Sequence, residues 1–179
     1  MQIDPFDEDL RHRHIVPYDA AYARVFNRVK HYAQARLAGV RLVHIGSTAV
    51  EDLRGKPMVD IAAITRGADL REEQKAFESL GFHRRDVWVD RDDKPYVCGS
   101  VVEGGRRYNV NIHICHADHS MLANTAAFID ILRRRPDLRR KYEAAKDEAH
   151  EIDPANPEVY NKAKEAVIRE IQAEIGTGH

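Results

Sequence analysis

The residues that decide the fold are Arg41-Leu-Val-His-Ile-Gly-Ser-Thr-Ala-Val50, followed after a short gap by Gly55-Lys-Pro-Met-Val-Asp-Ile-Ala-Ala-Ile64. Arg41–Ile45 reads as a short strand, broken by Gly46-Ser47. Met58–Ile64 reads as a second strand, largely apolar, with Asp60 as its one charge. A carboxylate among Met, Val, Ile and Ala is costly unless it is paired, hydrogen-bonded or bound to a metal. Gly46-Ser47 has two readings, a tight turn with a capping serine or an anion site. In the second, glycine lets the backbone approach a phosphate and exposed amides meet it. Ser47 would donate one bond and Thr48 another, with Lys56 a point charge for the same phosphates.

Working towards the N-terminus, Tyr22, Val25, Phe26, Val29, Tyr32, Ala33 and Leu37 recur at helical spacing and end at Gly39. Pro17 is the expected opening of that helix, at a tolerated first-turn position. Residues 1–15 are expected as a loosely ordered arm, and 16–176 as a single domain.

Working towards the C-terminus, a helix is predicted from about Asp69 to Leu80, with Ala76, Phe77 and Leu80 inward and Gly81 just past its end. Phe82–Val89 is expected as a strand and Asp90–Lys94 as a turn. Tyr96–Glu103 and Arg106–Cys115 flank Gly104-Gly105, a two-residue hairpin signal. That turn sets Val97, Gly99 and Val101 against Ile112, Val110 and Tyr108 on an apolar face. Cys98 and Ser100 then meet Asn111 and Asn109 on a polar face that continues to His113 and Cys115. Such a face either lines a cleft or simply meets solvent. In this register Cys98 and Cys115 stand roughly 13 Å apart at strand rise. A disulfide needs α-carbons within about 7 Å, so both thiols are expected free. Three helices are predicted to close the chain, from about Met121 to Arg135, Leu138 to Ile152 and Glu158 to Ile175. The element order defines an α+β domain with a mixed β-sheet packed by helices.

The 179 residues allow one well-buried core, and 43% hydrophobic with 32% charged residues is a balance typical of globular domains. With 28 basic and 29 acidic side chains, no global field points to nucleic acid or a membrane as partner. Residues 1–14 lack the apolar segment of a secretory signal, and no run of about 18 apolar residues occurs. A cytoplasmic location is the expectation.

The motif His44-Ile-Gly-Ser-Thr-Ala-Val50 with Gly55-Lys-Pro-Met-Val-Asp-Ile61 resembles the GrpB family of the nucleotidyltransferase (DNA polymerase beta-like) superfamily. Val16-Pro-Tyr-Asp near the start, Phe128-Ile-Asp-Ile-Leu-Arg133, Pro136, Tyr142 with Lys146, and Tyr160 with Lys164 extend the resemblance from about residue 15 to 170. It implies a nucleotidyltransferase-like fold in which a strand turns at Gly46-Ser47 into a helix. It further implies a nucleotide-phosphate site at Gly46, Ser47, Thr48, Lys56 and His44, with Asp60 as a Mg²⁺ ligand and His113 as a base or phosphate donor. His44 could instead orient the turn.

In the parent superfamily a second carboxylate follows two residues after the first, because i and i+2 share one face of a strand and grip a metal pair. Here that position is Ala62. Glu51, Asp52 and Asp86 are the candidates for a compensating acid. The implied activity is transfer of a nucleotidyl group from a Mg-bound nucleoside triphosphate to an unidentified acceptor. The alternative is a non-catalytic module for a nucleotide or CoA-like ligand, since relatives are fused to dephospho-CoA kinase. A third constellation, His113, Cys115, His116 and His119, has zinc-ligand residue types without a compact spacing. The Arg133–Lys141 run reads as a solvated helix junction from which one or two arginines could reach the cleft.

Overall fold

A computed structural model describes residues 1–12, 15–85, 91–152, 162 and 164–177. Four strands, β1 (Arg41–Ile45), β2 (Met58–Thr65), β3 (Tyr96–Glu103) and β4 (Arg106–His116), form one sheet in the order β1-β2-β4-β3. β1 runs antiparallel to β2, β2 parallel to β4, and β3 antiparallel to β4. Six helices accompany them: α1 (Glu8–His12), α2 (Ala21–Gln34), α3 (Leu70–Ser79), α4 (Ser120–Arg134), α5 (Pro136–Ile152) and α6 (Glu165–Thr177). This is the expected mixed α+β architecture. No helix among the described residues is long and apolar enough to cross a membrane.

The hairpin adopts the register that Gly104-Gly105 demands. Val97 faces Ile112, Gly99 faces Val110 and Ser100 faces Asn109. Both turn glycines have positive φ, 57° and 77°, which disfavours any side chain there. Period-2 alternation then sorts the strands into two faces. Leu42, Val59, Ile61, Ala63, Val97, Val110, Ile112 and Ile114 join Tyr22, Val25 and Val29 of α2 and Leu70 and Phe77 of α3 in the main core. The opposite face carries Met58, Asp60, Ala62, Asn109, Asn111 and His113. A second core lies among α4, α5 and α6, where Leu132, Leu138, Tyr142 and Ile171 enclose Val50 and Leu53 from the loop after β1. That loop therefore belongs to both halves of the molecule, which brings helical side chains over the polar face.

Several elements differ from their sequence-based expectations. Residues 1–12, read as a loose arm, are held to the sheet edge: Asp4 exchanges both backbone hydrogen bonds with Ser100, at 2.9 and 2.8 Å. Ile3 packs on the main core, whereas Phe6 joins Met58, Tyr96 and Cys98 on the other face. The acids between these apolar residues masked a segment that wraps the edge of β3 and covers its unpaired backbone groups. The first long helix begins at Ala21 rather than Pro17. Val16 is held extended by paired hydrogen bonds to Gly55, and Asp19 caps the Ala21 amide through its carboxylate, at 2.9 Å. Within α3 the buried residues are Leu70, Gln74 and Phe77, so Ala76 and Leu80 sit at the margin of the core.

The expected strand from Phe82 has one bridge, His83 to Cys98, and its remainder lies largely outside the described residues. Pro136 opens α5 one residue after α4 ends, the helix-initiating use of proline rather than the terminating one. Of the last predicted helix, Glu165–Thr177 is described, and residues 153–161, Tyr160 among them, fall outside. Both cysteines are free and buried.

Candidate functional site

At the end of β1 the chain turns at Gly46, whose φ of 72° is reached cheaply only without a Cβ. A Cβ there would stand 2.7 Å from Asp60 Oδ2, so this glycine also makes room for the carboxylate. The turn continues as a single 3-10 turn, Ser47–Ala49, and not as the α-helix that the resemblance implied. One such turn supplies little macrodipole, so the charge that attracts an anion has to come from side chains.

Asp60 pairs with Asn111 across the parallel β2–β4 ladder, and Asn111 Nδ2 donates to Asp60 Oδ1 at 3.1 Å and contacts Met58 Sδ at 2.8 Å. Asp60 keeps some exposed surface, yet protein atoms crowd it closely. Burial pushes its carboxyl up to about 6, against opposing pulls from Asn111 and Lys164. Ala62, the position of the absent second carboxylate, is fully buried and lies directly opposite His113.

The same ladder places His113 on the Asp60 face, two residues beyond Asn111. Its ring lies against Tyr96, with centroids 6.3 Å apart. No hydrogen bond to it is made by the described residues. Burial, with a smaller contribution from Lys94, holds its pKa down to about 4, so the imidazole is neutral at neutral pH.

The helices bring lysines that reading the strands alone did not reach. Lys146 of α5 is 2% exposed, donates to the Arg54 carbonyl and lies over the Tyr142 ring at 4.9 Å. Burial lowers it to about 7, with Lys164 and Arg54 adding to the depression. Lys164, at the entry to α6, is 9% exposed and lowered to about 8 by burial and then by Lys56, while Asp60 opposes. A Cβ on Gly55 would stand 3.2 Å from Ser47 Oγ and 3.8 Å from Lys146 Nζ, which places the serine hydroxyl and the ammonium around one glycine. Among the described residues Ser47 Oγ has no hydrogen-bond partner. Three lysines against one carboxylate leave this junction net positive.

Arg54 is gripped from three sides by α5. Glu143 accepts its amide at 2.9 Å, Lys146 binds its carbonyl, and Asp147 takes its guanidinium at 2.9 and 3.1 Å. Arg133 and Arg139, from the basic run, donate to the carbonyls of Ala49 and Glu51 and brace the loop from the helical side.

Gly46, Ser47, Lys56, Asp60 and His113 thus gather at the junction of sheet and helices, and two other candidates do not. His44 is on the opposite face, stacked on Phe26 at 5.1 Å, with Nε2 3.0 Å from Thr48 Oγ1. Thr48 is 2% exposed and donates to the Met58 carbonyl at 3.1 Å. Period 2 puts His44 and Ile45 on opposite faces, and Ile45 is the residue that pairs with Asp60. His44 and Thr48 therefore brace the turn from behind. The zinc constellation also disperses. His116 pairs with Thr65 on the other face, Cys115 is buried, and His119 caps α4 by accepting the Met121 amide at 3.1 Å. Glu51 and Asp52 are exposed in the loop and Asp86 lies outside the described residues, so no described acid compensates for Ala62.

Asn111, Lys146 and Lys164 are the site residues that sequence reasoning passed over. For Lys146 a signal existed: it follows Leu138 and Tyr142 at four-residue steps, a lysine in an otherwise core-facing stripe.

A Gly-Ser turn beside a strand-borne carboxylate, on the open face of a mixed sheet backed by helices, is the arrangement of nucleotidyltransferase folds. Solved structures agree. A crystal structure of the conserved protein GrpB from Enterococcus faecalis superposes with a TM-score of 0.70 at 22% identity, covering 90% of this chain and 96% of that one. The GLD-2/RNP-8 complex gives 0.60 at 9% identity over 92% and 63% of the chains. The Cid1 poly(U) polymerase, solved with Mg and 3'-dATP bound, gives 0.55 at 12% identity over 90% and 49%.

The GrpB protein family model matches residues 13–174, and the chain belongs to that family. Among relatives, a UPF0157 protein of Pseudomonas aeruginosa is 29% identical over 88% of this chain, which spans 65% of that relative's length. A UPF0157 protein of Streptomyces coelicolor is 29% identical, over 89% of this chain and 82% of its own.

Proposed function

We propose that this protein binds a nucleoside triphosphate at the junction of Ser47, Lys56, Asp60, Lys146 and Lys164, and transfers its nucleotidyl group to a second substrate. The observation that carries the reading is the charge arrangement. Two buried lysines from the helices and Lys56 from the loop surround a serine hydroxyl with no protein partner, beside one strand-borne carboxylate. Burying ammonium groups is costly, and a polyphosphate returns that cost by supplying the missing counter-charge. The fold shared with Cid1, a polymerase solved with Mg and 3'-dATP, supports the same ligand class here.

The donor set fits a Mg²⁺ ion that arrives with the nucleotide. Mg²⁺ is satisfied by one or two carboxylates together with substrate phosphates and water, and Asp60 supplies one. When bound, the ion would neutralise charge on the phosphates. Asn111 holds one Asp60 oxygen and so fixes the carboxylate's orientation. Ser47 donates to a phosphate oxygen, and Lys146 and Lys164 oppose the charge of the departing phosphates. His113, on the same face, lies where the acceptor approaches.

Ala62 favours a second reading, a non-catalytic module for a nucleotide or CoA-like ligand, because two-metal chemistry lacks its usual second carboxylate. Incubation with α-phosphate-labelled ATP, Mg²⁺ and a small-metabolite extract separates the two. A labelled adduct formed by wild type and lost in Asp60→Asn establishes transfer. ATP binding with no adduct under any condition leaves the module.

A further inference from the structure

We infer that Asp60 and His113 together form a mixed oxygen–nitrogen metal site, so that the metal–nucleotide this junction takes carries a borderline divalent ion such as Mn²⁺ in preference to Mg²⁺. The inference rests on the reading of the junction as a metal–nucleotide site and names its metal class.

The geometry comes from the parallel ladder. Asp60 pairs with Asn111, and His113 lies two residues further along on the same face. Strand spacing and rise set the Asp60 and His113 α-carbons roughly 8 Å apart. A carboxylate, an ion at about 2.1 Å from each ligand atom, and an imidazole together span such a separation. Ala62 lies between these two residues on that face and opposite His113. Its methyl group leaves unfilled the volume that a carboxylate would take, and the imidazole is the nearest metal-ligating side chain across the ladder.

Two further observations point to a ligand. His113 has no hydrogen-bond partner among the described residues, although Tyr96 fixes its ring. Its depressed proton affinity leaves a lone pair available throughout the physiological range. Asn111 ties up one Asp60 oxygen, so the carboxylate offers the other as a single directed donor.

Ligand type then decides the metal. Mg²⁺ takes hard oxygen donors and holds its water tightly, whereas imidazole nitrogen suits Mn²⁺ and later first-row ions. Replacing a carboxylate with a neutral imidazole also removes a negative charge, which costs Mg²⁺ more than it costs an ion that gains from nitrogen ligation. Two cations work against a bare ion: Lys164 acts on Asp60 and Lys94 on His113. Phosphates that draw Lys164 to themselves release Asp60 for the metal, so metal and nucleotide bind more tightly together than apart.

The test uses Mn²⁺ as the probe. Electron paramagnetic resonance follows its titration into wild type, His113→Gln, His113→Ala and Asp60→Asn, without and with ATP, with melting curves confirming that each variant is folded. In wild type the expected result is one Mn²⁺ per chain, tightened by ATP, with spin-echo modulation from a directly bound nitrogen. His113→Ala loses the nitrogen modulation and weakens Mn²⁺ at least about tenfold, yet binds MgATP as wild type does. Mn²⁺ binding by His113→Ala at wild-type strength, or bound Mn²⁺ without nitrogen modulation, overturns the inference. Mn²⁺ held through both residues by a protein that ATP does not affect upholds the metal pair and overturns the nucleotide reading.

Discussion

Strand β4 presents two chemistries in alternate residues. Val110, Ile112 and Ile114 have no exposed surface and face α2 and α3, whereas Asn111 and His113, between them, keep part of theirs and face the helical junction. On the first face every neighbour is apolar, and shape alone is at stake. On the second, the polar groups interact mainly with one another and with lysines from α5 and α6, and burial there lowers lysine and histidine pKa values while raising that of Asp60. One face maintains the fold. The other holds desolvated charge that a ligand can relieve.

Mutating adjacent residues separates the two roles. Ile112→Ala should cost about 2–5 kcal/mol, the usual range for truncating a buried aliphatic side chain. Asn111→Ala, its neighbour, should cost about 0.5–1.5 kcal/mol, the scale of one hydrogen bond, while impairing metal–nucleotide binding. Denaturant midpoints measure the first pair of values and calorimetry the second. Equal stability losses would abolish the distinction between the faces.

Ala62→Asp breaks the contrast from the opposite direction by putting a second carboxylate beside Asp60. Without metal, two close carboxylates repel and the melting temperature should fall. Mg²⁺ should restore it, with Mg²⁺ affinity about tenfold above wild type, since the i and i+2 pair then chelates. A variant that Mg²⁺ leaves unstabilised would place Ala62 outside the metal's reach.

The lysine side of the junction is tested by pH. The folded pKa of Lys146, about 7, lies below its ordinary 10.5, so between these values the unfolded chain binds the extra proton. Stability of the ligand-free protein should therefore rise as pH goes from about 7 towards 10, with Lys164 adding the same sign above about 8. Affinity for inorganic triphosphate should fall over the same range, because the ligand needs the charged lysines. Lys146→Met should flatten both trends, as melting curves and calorimetry across pH would reveal.

These contrasts also mark how far the sequence could be read. The hairpin register and the placing of Asn111 and His113 on one face followed from Gly104-Gly105 and period 2, both of which are local. The contact between Asn111 and Asp60 needed the parallel pairing of β2 with β4, and no turn links those strands to announce it. Lys146 was visible as a lysine in the stripe of Leu138 and Tyr142, but a stripe does not say what it packs against. Lys164 follows chain breaks that carry no periodic signal. His44 illustrates the converse. It sits within the motif, yet alternation turns it to the other face, where Phe26 and Thr48 engage it. The N-terminal segment was misread because Ile3, Phe6 and Leu10 fit neither strand nor helix spacing and are separated by acids.

Ser47→Ala should have the smallest effect, about 0.5–1.5 kcal/mol of binding and little stability, since it removes one neutral donor that no described residue uses.

The central claim is that the polar face binds a nucleoside triphosphate through lysines and a metal held by Asp60. Calorimetric titration of ATP into wild type and Asp60→Asn, with and without divalent metal, tests it most directly. The account predicts that metal strengthens ATP binding in wild type. In Asp60→Asn that gain disappears, at a cost of about 1.5–3 kcal/mol, the scale for interactions of a charged group. Identical affinities for the two proteins, or no ATP binding by wild type under either condition, would contradict it.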